Sequence, residues 1–516
     1  MIAIQNIHYN NRNPIVKLTH LIFLMSITSN IILSNSGRRN VVTAFSFVTK
    51  KTTKSSWISI HNTPLQSTCI QSIHRKFSIF QTQNQIPLNK EFKRFSNKRL
   101  FSNIQTNDVT SNNFASDGPV YPSFNPNDYA IPSFPSIITT PELKTGQRIV
   151  SFGDVHGDIS ALKNFLVTAQ IMDPKSTPEN PIWSGGDTIC VQCGDILDRG
   201  DDELKCIRLL ASLARQAQQA GGALLMCYGN HEALNSVGLF QYANPGGNIE
   251  FEQYLGAQID LDWKNQKWRL QYANNEPARW AAFEPGGIFA QTLMANMKVS
   301  VVLGRTVFVH AGLTKQHIDK YKSIENMNDE ATKWITKTQH GPNNNLGTYT
   351  QVEEVIQAAE SRARAHSSSM PECLGGGIGS HSPVWMRDYS SPHDSQPTNP
   401  MAQQMMNLAL DAITSTISSE SSKAEVEVQR MVMGHTPQSK INAALQGKAW
   451  RIDVGASKGV MSGTPEVLEI IHGGVGNEDV ISILTMSKSA SGEQIKNSMV
   501  KRIDGTKRYL AEMPIM

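Results

Sequence analysis

The fold is decided between Arg148 and Glu232. Three short apolar runs there each end in glycine followed by an acid or an amide: Arg148-Ile-Val-Ser-Phe-Gly-Asp154, Thr188-Ile-Cys-Val-Gln-Cys-Gly-Asp195 and Ala223-Leu-Leu-Met-Cys-Tyr-Gly-Asn230. Runs of this length bounded by glycine and polar residues read as buried strands. A helical pattern from about Asp158 to Ala169 follows the first, with Leu162, Phe165 and Leu166 on one face. A second amphipathic pattern, Asp202 to Gln219, follows the second. Repeated strand, polar loop and helix predict parallel βαβ construction and an α/β fold. In such sheets ligands sit at the carboxyl ends of the strands. Here those ends carry Asp or Asn, with His close behind two of them.

Working outward, further strands are predicted at Val299–Ala311, Gln429–His435, Trp450–Val454, Glu466–His472 and Asp479–Met486. Helices are predicted near Val352–Ala365 and Ala402–Ser418. A Gly/Ser-rich patch runs from Gly375 to Ser382. Ile249–Trp280, Asn326–Tyr349 and Ser390–Pro400 read as insertions without a motif that could shape a substrate groove. No internal repeat is found.

Five short motifs stand at or near strand ends: Gly153-Asp-Val-His-Gly157, Gly194-Asp-Ile-Leu-Asp-Arg-Gly200, Gly229-Asn-His-Glu232, Val309-His-Ala-Gly-Leu313 and Met433-Gly-His-Thr-Pro437. A dinuclear centre needs a shared carboxylate, mixed oxygen and nitrogen ligands, and open positions for water and substrate. Asp154 and His156, two apart on an extended segment, point the same way and can hold one metal. Asp195 can bridge to a second, completed by Asn230, His310 and His435. Such a set suits two divalent ions of the Mn, Fe or Zn type and disfavours a structural cysteine-zinc site. Arg199 can grip phosphate through a bidentate contact. His231 can protonate the leaving oxygen, with Asp198 to orient the imidazole. A hydroxide bridging the metals is the expected nucleophile, so no Ser or Cys nucleophile is required. Each motif alone is weak; five in this order at strand ends are not.

The order of these motifs resembles the phosphoprotein phosphatase family of calcineurin-like metallophosphoesterases, over about Arg148 to Met486. The resemblance implies a β-sandwich of two mixed sheets flanked by helices, with a dinuclear metal site at the strand ends. It implies Asp154, His156 and Asp195 at the first metal, and Asp195, Asn230, His310 and His435 at the second. It also implies Arg199 on phosphate, with His231 and Asp198 as the acid pair. A second phosphate arginine lies between the last two histidine motifs in that family, and Ser382-Pro-Val-Trp-Met-Arg387 is similar to its setting, which assigns Arg387. The common eukaryotic enzymes carry His-Gly-Gly where this chain has His310-Ala311-Gly312, and a C-terminal Ser-Ala-Pro-Asn-Tyr stretch not found here. Arg279–Leu293 (RWAAFEPGGIFAQTL) and the later Gly-His-Thr-Pro-Gln resemble instead the Shewanella-like protein phosphatases. A phosphoprotein substrate follows as an expectation. The rivals are a symmetrical dinucleoside tetraphosphate hydrolase and a binding protein on an inactive phosphatase scaffold.

The ends of the chain read differently. Residues 1–100 hold 14 of the 48 Lys and Arg but a single acid, Glu91, so the net charge of +4 belongs to this segment and the remainder is net acidic. That distribution argues against nucleic-acid binding by the body. Leu18–Leu33 is apolar but interrupted, too short for a comfortable span, and suits a signal peptide of about residues 1–44 ending at Val42-Thr43-Ala44 before Phe45. The Ser/Thr- and Lys-rich, acid-poor stretch behind it resembles a plastid-targeting sequence read through a signal peptide, leaving no membrane segment in the mature chain. Secretion, a signal anchor and a mitochondrial presequence are the alternatives. Residues 101–145 read as a linker, 146–490 as the catalytic domain and 491–516 as a tail. The six cysteines form no disulfide framework in a chain of 516 residues. Cys190 and Cys193 read as two strand cysteines, with a redox switch as the sharper alternative and a zinc ribbon disfavoured.

Overall fold

The structure is a computed structural model that describes residues 125–251, 277–337, 364–420, 427–488, 495–502 and 510–512. The expected targeting segment lies outside the described residues. So do most of the insertion before Trp280, and the expected helix near Val352–Ala365 up to residue 363.

The strands are β1 (Ile137–Ile138), β2 (Arg148–Phe152), β3 (Ile189–Gln192), β4 (Ala223–Met226), β5 (Ser300–Leu303), β6 (Thr306–Val309), β7 (Arg430–Met433), β8 (Asn442–Ala444), β9 (Ala449–Arg451), β10 (Glu466–Ile471), β11 (Val480–Lys488), β12 (Ile495–Arg502) and β13 (Leu510–Glu512). They form two mixed sheets, ordered β1-β5-β6-β7-β9-β8 and β13-β12-β11-β10-β2-β3-β4. The three decisive runs are parallel neighbours, with Phe152 level with Gln192 and Gln192 with Met226. Their carboxyl ends therefore finish side by side. In the other sheet β6 and β7 are also parallel. One hydrophobic cluster contains residues of both sheets, among them Val150, Phe152, Val191, Val301, Phe308 and Val432.

Helices α1 (Ile159–Thr168) and α2 (Glu203–Gln219) pack on the sheet that holds β2, β3 and β4, where the periodicity places them. The Asp158 carboxylate caps α1 by accepting the Ser160 and Ala161 N–H groups, both at 3.0 Å. Phe165 of α1 stacks on Phe152 of β2 with centroids 5.0 Å apart. Both are fully buried, and burying each contributes about 1.5–3 kcal/mol. The remaining labelled helices are α3 (Asn230–Ser236), α4 (Pro277–Phe283), α5 (Ile288–Thr292), α6 (Lys315–Tyr321), α7 (Ile324–Thr336) and α8 (Ala402–Glu420). Among the described residues no helix is long and apolar enough to cross a membrane.

Four expectations need correction. The single strand expected at Val299–Ala311 is a hairpin: β5 and β6 pair antiparallel, with Leu303 opposite Thr306. Gly304, at φ 57°, supplies the left-handed residue that reverses the chain. The stretch read as a linker to residue 145 is structured from residue 125. Tyr129 and Ile131 are buried, and the Arg215 guanidinium of α2 donates to the carbonyls of Asn127, Asp128 and Ala130 at 2.7–3.2 Å. A Pro/Ser/Asn-rich composition conceals two apolar anchors and a row of captured carbonyls. The start of the insertion expected from Asn326 is the body of α7, whose Met327, Ala331, Trp334 and Ile335 are buried. In the segment read as a tail, β12 and β13 extend the sheet beyond β11.

Candidate active site

Five strands deliver the site. The end of β2 carries Asp154 and His156, and the end of β3 carries Asp195, Asp198 and Arg199. The end of β4 leads into α3, which opens with Asn230 and His231. His310 follows β6 and His435 follows β7. Asp154, His156, Asp195, Asp198, Asn230, His231, His310 and His435 are all buried. His156, Asp195, Asp198, Arg199 and His435 adopt φ of 49–67°. Non-glycine residues resist that left-handed region, and holding each there costs about 1–3 kcal/mol. The turns are held from outside. Glu232 accepts the N–H groups of Gly229, Asp195 and Ile196 at 2.9 Å each and that of Leu197 at 3.2 Å. Gly434 lets His435 approach: a Cβ there would lie 2.4 Å from Asp154 Oδ1, the oxygen that accepts the His435 N–H at 3.1 Å.

The donor atoms converge. His310 Nε2 lies 3.1 Å from both Asn230 Oδ1 and His435 Nδ1, and 3.4 Å from Asp195 Oδ2. His156 Nε2 lies 3.7 Å from Asp154 Oδ2 and 3.9 Å from Asp195 Oδ2. Asp195, His310 and His435 offer ligand atoms all within 4.8 Å of one another, and so do His156, Asp195 and His231. Each of three rings is tied through its other nitrogen to a backbone carbonyl: His156 Nδ1 to Leu197 at 3.0 Å, His310 Nδ1 to Cys193 at 2.7 Å and His435 Nε2 to Trp385 at 3.1 Å. A carbonyl only accepts, so it fixes the proton on that nitrogen and leaves the other lone pair facing the cluster. This is the orienting bond that metal-ligating histidines carry. The residues therefore fit a pair of divalent ions.

Burial alone would lower His310, but Asp195 and Asp154 outweigh it and push the ring up to about 10. Burial and the neighbouring His231 push His156 down to about 3. Burial and Asp453 raise Asp154 well above the usual carboxylate range. Burial would also raise Asp195, yet the surrounding imidazoles hold it well below that range. These opposed shifts show how strongly the acids and imidazoles of the cluster act on one another.

His231 differs from the other rings. Its Nδ1 meets a carboxylate, Asp198 Oδ2, at 2.6 Å, and its Nε2 lies 3.7 Å from Asp195 Oδ2. Burial would lower it, but Asp195 and Asp198 outweigh burial and raise it. Arg199 is half-buried and lies over the Tyr242 ring, 5.6 Å from its centroid. Tyr242 in turn packs against His231 at 5.0 Å. Arg387 is exposed at the rim and donates to Thr436 Oγ1 at 2.8 Å and to the His435 carbonyl at 3.3 Å. Cys190 and Cys193 are buried free thiols, and Cys193 serves the site through its carbonyl.

Sequence reasoning missed Glu203, Asn235, Arg279, Tyr242 and Asp453, and quoted Glu232 without a role. Asp453 is 1% exposed, with one oxygen accepting the Gly455 N–H at 2.8 Å. Arg279 lay inside a quoted segment, but nothing in one sequence links it to Asp198.

Oxygen and nitrogen donors converging at the ends of parallel strands, with arginine beside them, define a metal-dependent phosphoesterase. Comparison with known proteins agrees. The family model described as Calcineurin-like phosphoesterase matches residues 147–365. Shewanella-like protein phosphatase 2 of Arabidopsis thaliana is 33% identical over 360 residues, covering 66% of this chain and 79% of the relative. Shewanella-like protein phosphatase 1 of Plasmodium berghei is 35% identical over 172 residues, 33% of this chain and 40% of that one. Among solved structures, the cold-active protein-tyrosine phosphatase of a psychrophilic Shewanella species superposes with a TM-score of 0.41 at 17% identity, over 73% of this chain and 84% of its own. The chain belongs to the Shewanella-like protein phosphatases, within the calcineurin-like phosphoesterases. It is a phosphatase of the metal-dependent phosphoesterase class.

Proposed function

We propose that this phosphatase acts on phosphoproteins, with the following division of labour. Asp154, His156 and Asp195 would hold one ion; Asp195, Asn230, His310 and His435 would hold the other. Two divalent ions, when bound there, would supply Lewis-acid charge at the phosphoryl group. Manganese, iron and zinc suit an all-oxygen and nitrogen donor set. Arg199 and Arg387, on different loops beside the cluster, bind the phosphoryl oxygens. His231 gives its Nε2 proton to the leaving oxygen, and Asp198 orients the ring. The different anchoring of the rings carries this division. Three rings are tied to carbonyls, which only fix a tautomer, whereas His231 is tied to a carboxylate, which favours the charged form.

The phosphoprotein substrate rests on the names of the relatives. Its test is to assay the full chain with Mn²⁺ on a phosphopeptide and on diadenosine tetraphosphate. Turnover of the phosphopeptide is expected; turnover of the dinucleotide alone overturns the reading. We also propose residues 1–100 as a targeting segment with the plastid as destination, on the strength of its composition. A fusion of these residues to a fluorescent protein that stays diffuse in the cytosol would refute any targeting role.

A further inference from the structure

Behind the His231–Asp198 pair lies an arginine to which no role has yet been given. Arg279 of α4 is 1% exposed. Its Nη2 donates to Asp198 Oδ1 at 2.7 Å and to Glu203 Oε1 at 2.6 Å. Its Nη1 donates to Glu203 Oε2 at 2.6 Å and Asn248 Oδ1 at 3.3 Å, and its Nε donates to Asn235 Oδ1 at 2.6 Å. The rings of Phe240 and Phe251 pack at 5.6 and 5.0 Å from Cζ. A buried guanidinium is tolerated only when carboxylates and hydrogen bonds replace its water, and here they do.

Two consequences follow for Asp198. Its Oδ1 is filled by Arg279 and by Asn235 Nδ2 at 3.1 Å, so only Oδ2 is left to face the His231 ring. Its backbone sits at φ 67°, followed by Arg199 at 66°. That resisted turn is held by Glu203, which accepts the Asp198 N–H at 2.5 Å and is itself gripped by Arg279 at both oxygens. Arg279 therefore fixes Asp198 at its side chain and, through Glu203, at its main chain.

We propose that Arg279 is a positioning residue for proton delivery. It sets the Asp198 carboxylate, and through it the His231 ring, so that hydrolysis of esters with poor leaving groups depends on it. This deepens the reading of His231 as the acid and rests on it. In the step concerned, an oxygen from water forms the new bond to phosphorus, its proton passes to solvent, and the ester P–O bond breaks. The electron pair stays on the leaving oxygen, which takes the His231 Nε2 proton, and the neutral ring is reprotonated from solvent. A leaving group that is stable as an anion needs little of this help; one that is not needs most of it.

The test compares phenyl phosphate with 4-nitrophenyl phosphate on the full metal-loaded chain. Arg279→Met should lower kcat on phenyl phosphate about 50-fold and on 4-nitrophenyl phosphate less than about 5-fold, with KM changed less than about twofold. Metal content should not change. In an Arg279→Met, His231→Ala double variant the loss on phenyl phosphate should not exceed that of His231→Ala alone, because both act on one step. Equal losses on the two substrates, or losses that multiply in the double variant, overturn the proposal. If Arg279→Met does not fold, Arg279→Lys keeps the charge but loses the fork, and the same contrast between substrates decides. A His231→Ala variant that loses both substrates equally removes the acid assignment and the inference with it. A selective His231→Ala beside an unselective Arg279 variant removes the inference alone.

Discussion

Two buried imidazole–carboxylate pairs sit at opposite ends of the same strands. His231 meets Asp198 at the carboxyl ends; His472 meets Asp479 at the other, Nδ1 to Oδ1 at 3.1 Å. Antiparallel pairing of β10 with β2 sets Ile471 opposite Arg148, so His472 lies beside the start of β2, while Asp154 follows its end. Arg305 precedes β6 and Arg430 opens β7, and both reach Asp479, at 3.0 and 2.6 Å. The same two strands end at His310 and His435. At the lower end both His472 nitrogens and both Asp479 oxygens are matched. His472 Nε2 donates to the Thr140 carbonyl at 3.0 Å, so both ring nitrogens are taken, and the Gly473 N–H completes Asp479 at 3.0 Å. At the upper end one nitrogen of each proposed ligand ring is anchored and the other faces further lone pairs. Buried charge alone therefore does not mark function here. The mark is polar atoms that converge without satisfying one another.

The comparison can be broken from either side. His231→Ala should cut kcat of the folded protein by about 10²–10⁴, with metal content close to wild type. A wild-type rate on phenyl phosphate would remove the acid from the account. Asp479→Ala strands two arginines whose side chains are 11% and 9% exposed. Removing one partner of a buried ion pair costs about 3–5 kcal/mol, so denaturant melts should shift strongly while kcat of the folded fraction stays put. A kcat loss larger than the loss of folded protein would mean that the lower cluster is coupled to the chemistry. Asp479 adds a pH signature. Burial opposes its charge, but Arg430 and Arg305 outweigh burial and hold its carboxyl below the ordinary range. Its contribution is fully present above that range and is lost as pH falls from it through the lowered folded value. Asp479→Asn should therefore flatten the acid limb of stability against pH; an unchanged acid limb would refute the assignment. The smallest effect belongs to His472→Ala, about 1–3 kcal/mol of stability with no change in kcat; a change in kcat would contradict a purely structural His472.

How far this was legible follows from sequence distance. Asp154 with His156, Asp195 with Arg199, and Asn230 with His231 are neighbours on strand-end turns, so their pattern shows in a few residues. His310 and His435 could be singled out because each has a glycine within two residues at a strand end. His472-Gly473-Gly474 has the same local form, and only the contacts of both ring nitrogens separate it from a ligand. Arg279 lies 81 residues from Asp198, on a short helix with no turn chemistry to flag it. Its three-way grip exists only after α2, α3 and α4 pack together. The β5–β6 hairpin hid behind β-branched residues on both sides of one glycine, where periodicity reads straight through. Residues 125–145 were read from polar composition, and burial of Tyr129 and Ile131 overrode it.

The central claim is that Asp195 joins two ions in one hydrolytic site. Its most direct test is metal stoichiometry with phosphatase rate, measured on the wild-type chain and on Asp195→Asn by elemental analysis after buffer exchange. The account predicts two divalent ions per wild-type chain. It predicts loss of at least one in the variant, with a rate that falls with the ions and an unchanged circular dichroism spectrum. Full activity in a chain stripped of metal, or an Asp195→Asn chain that keeps both ions and its rate, would contradict it.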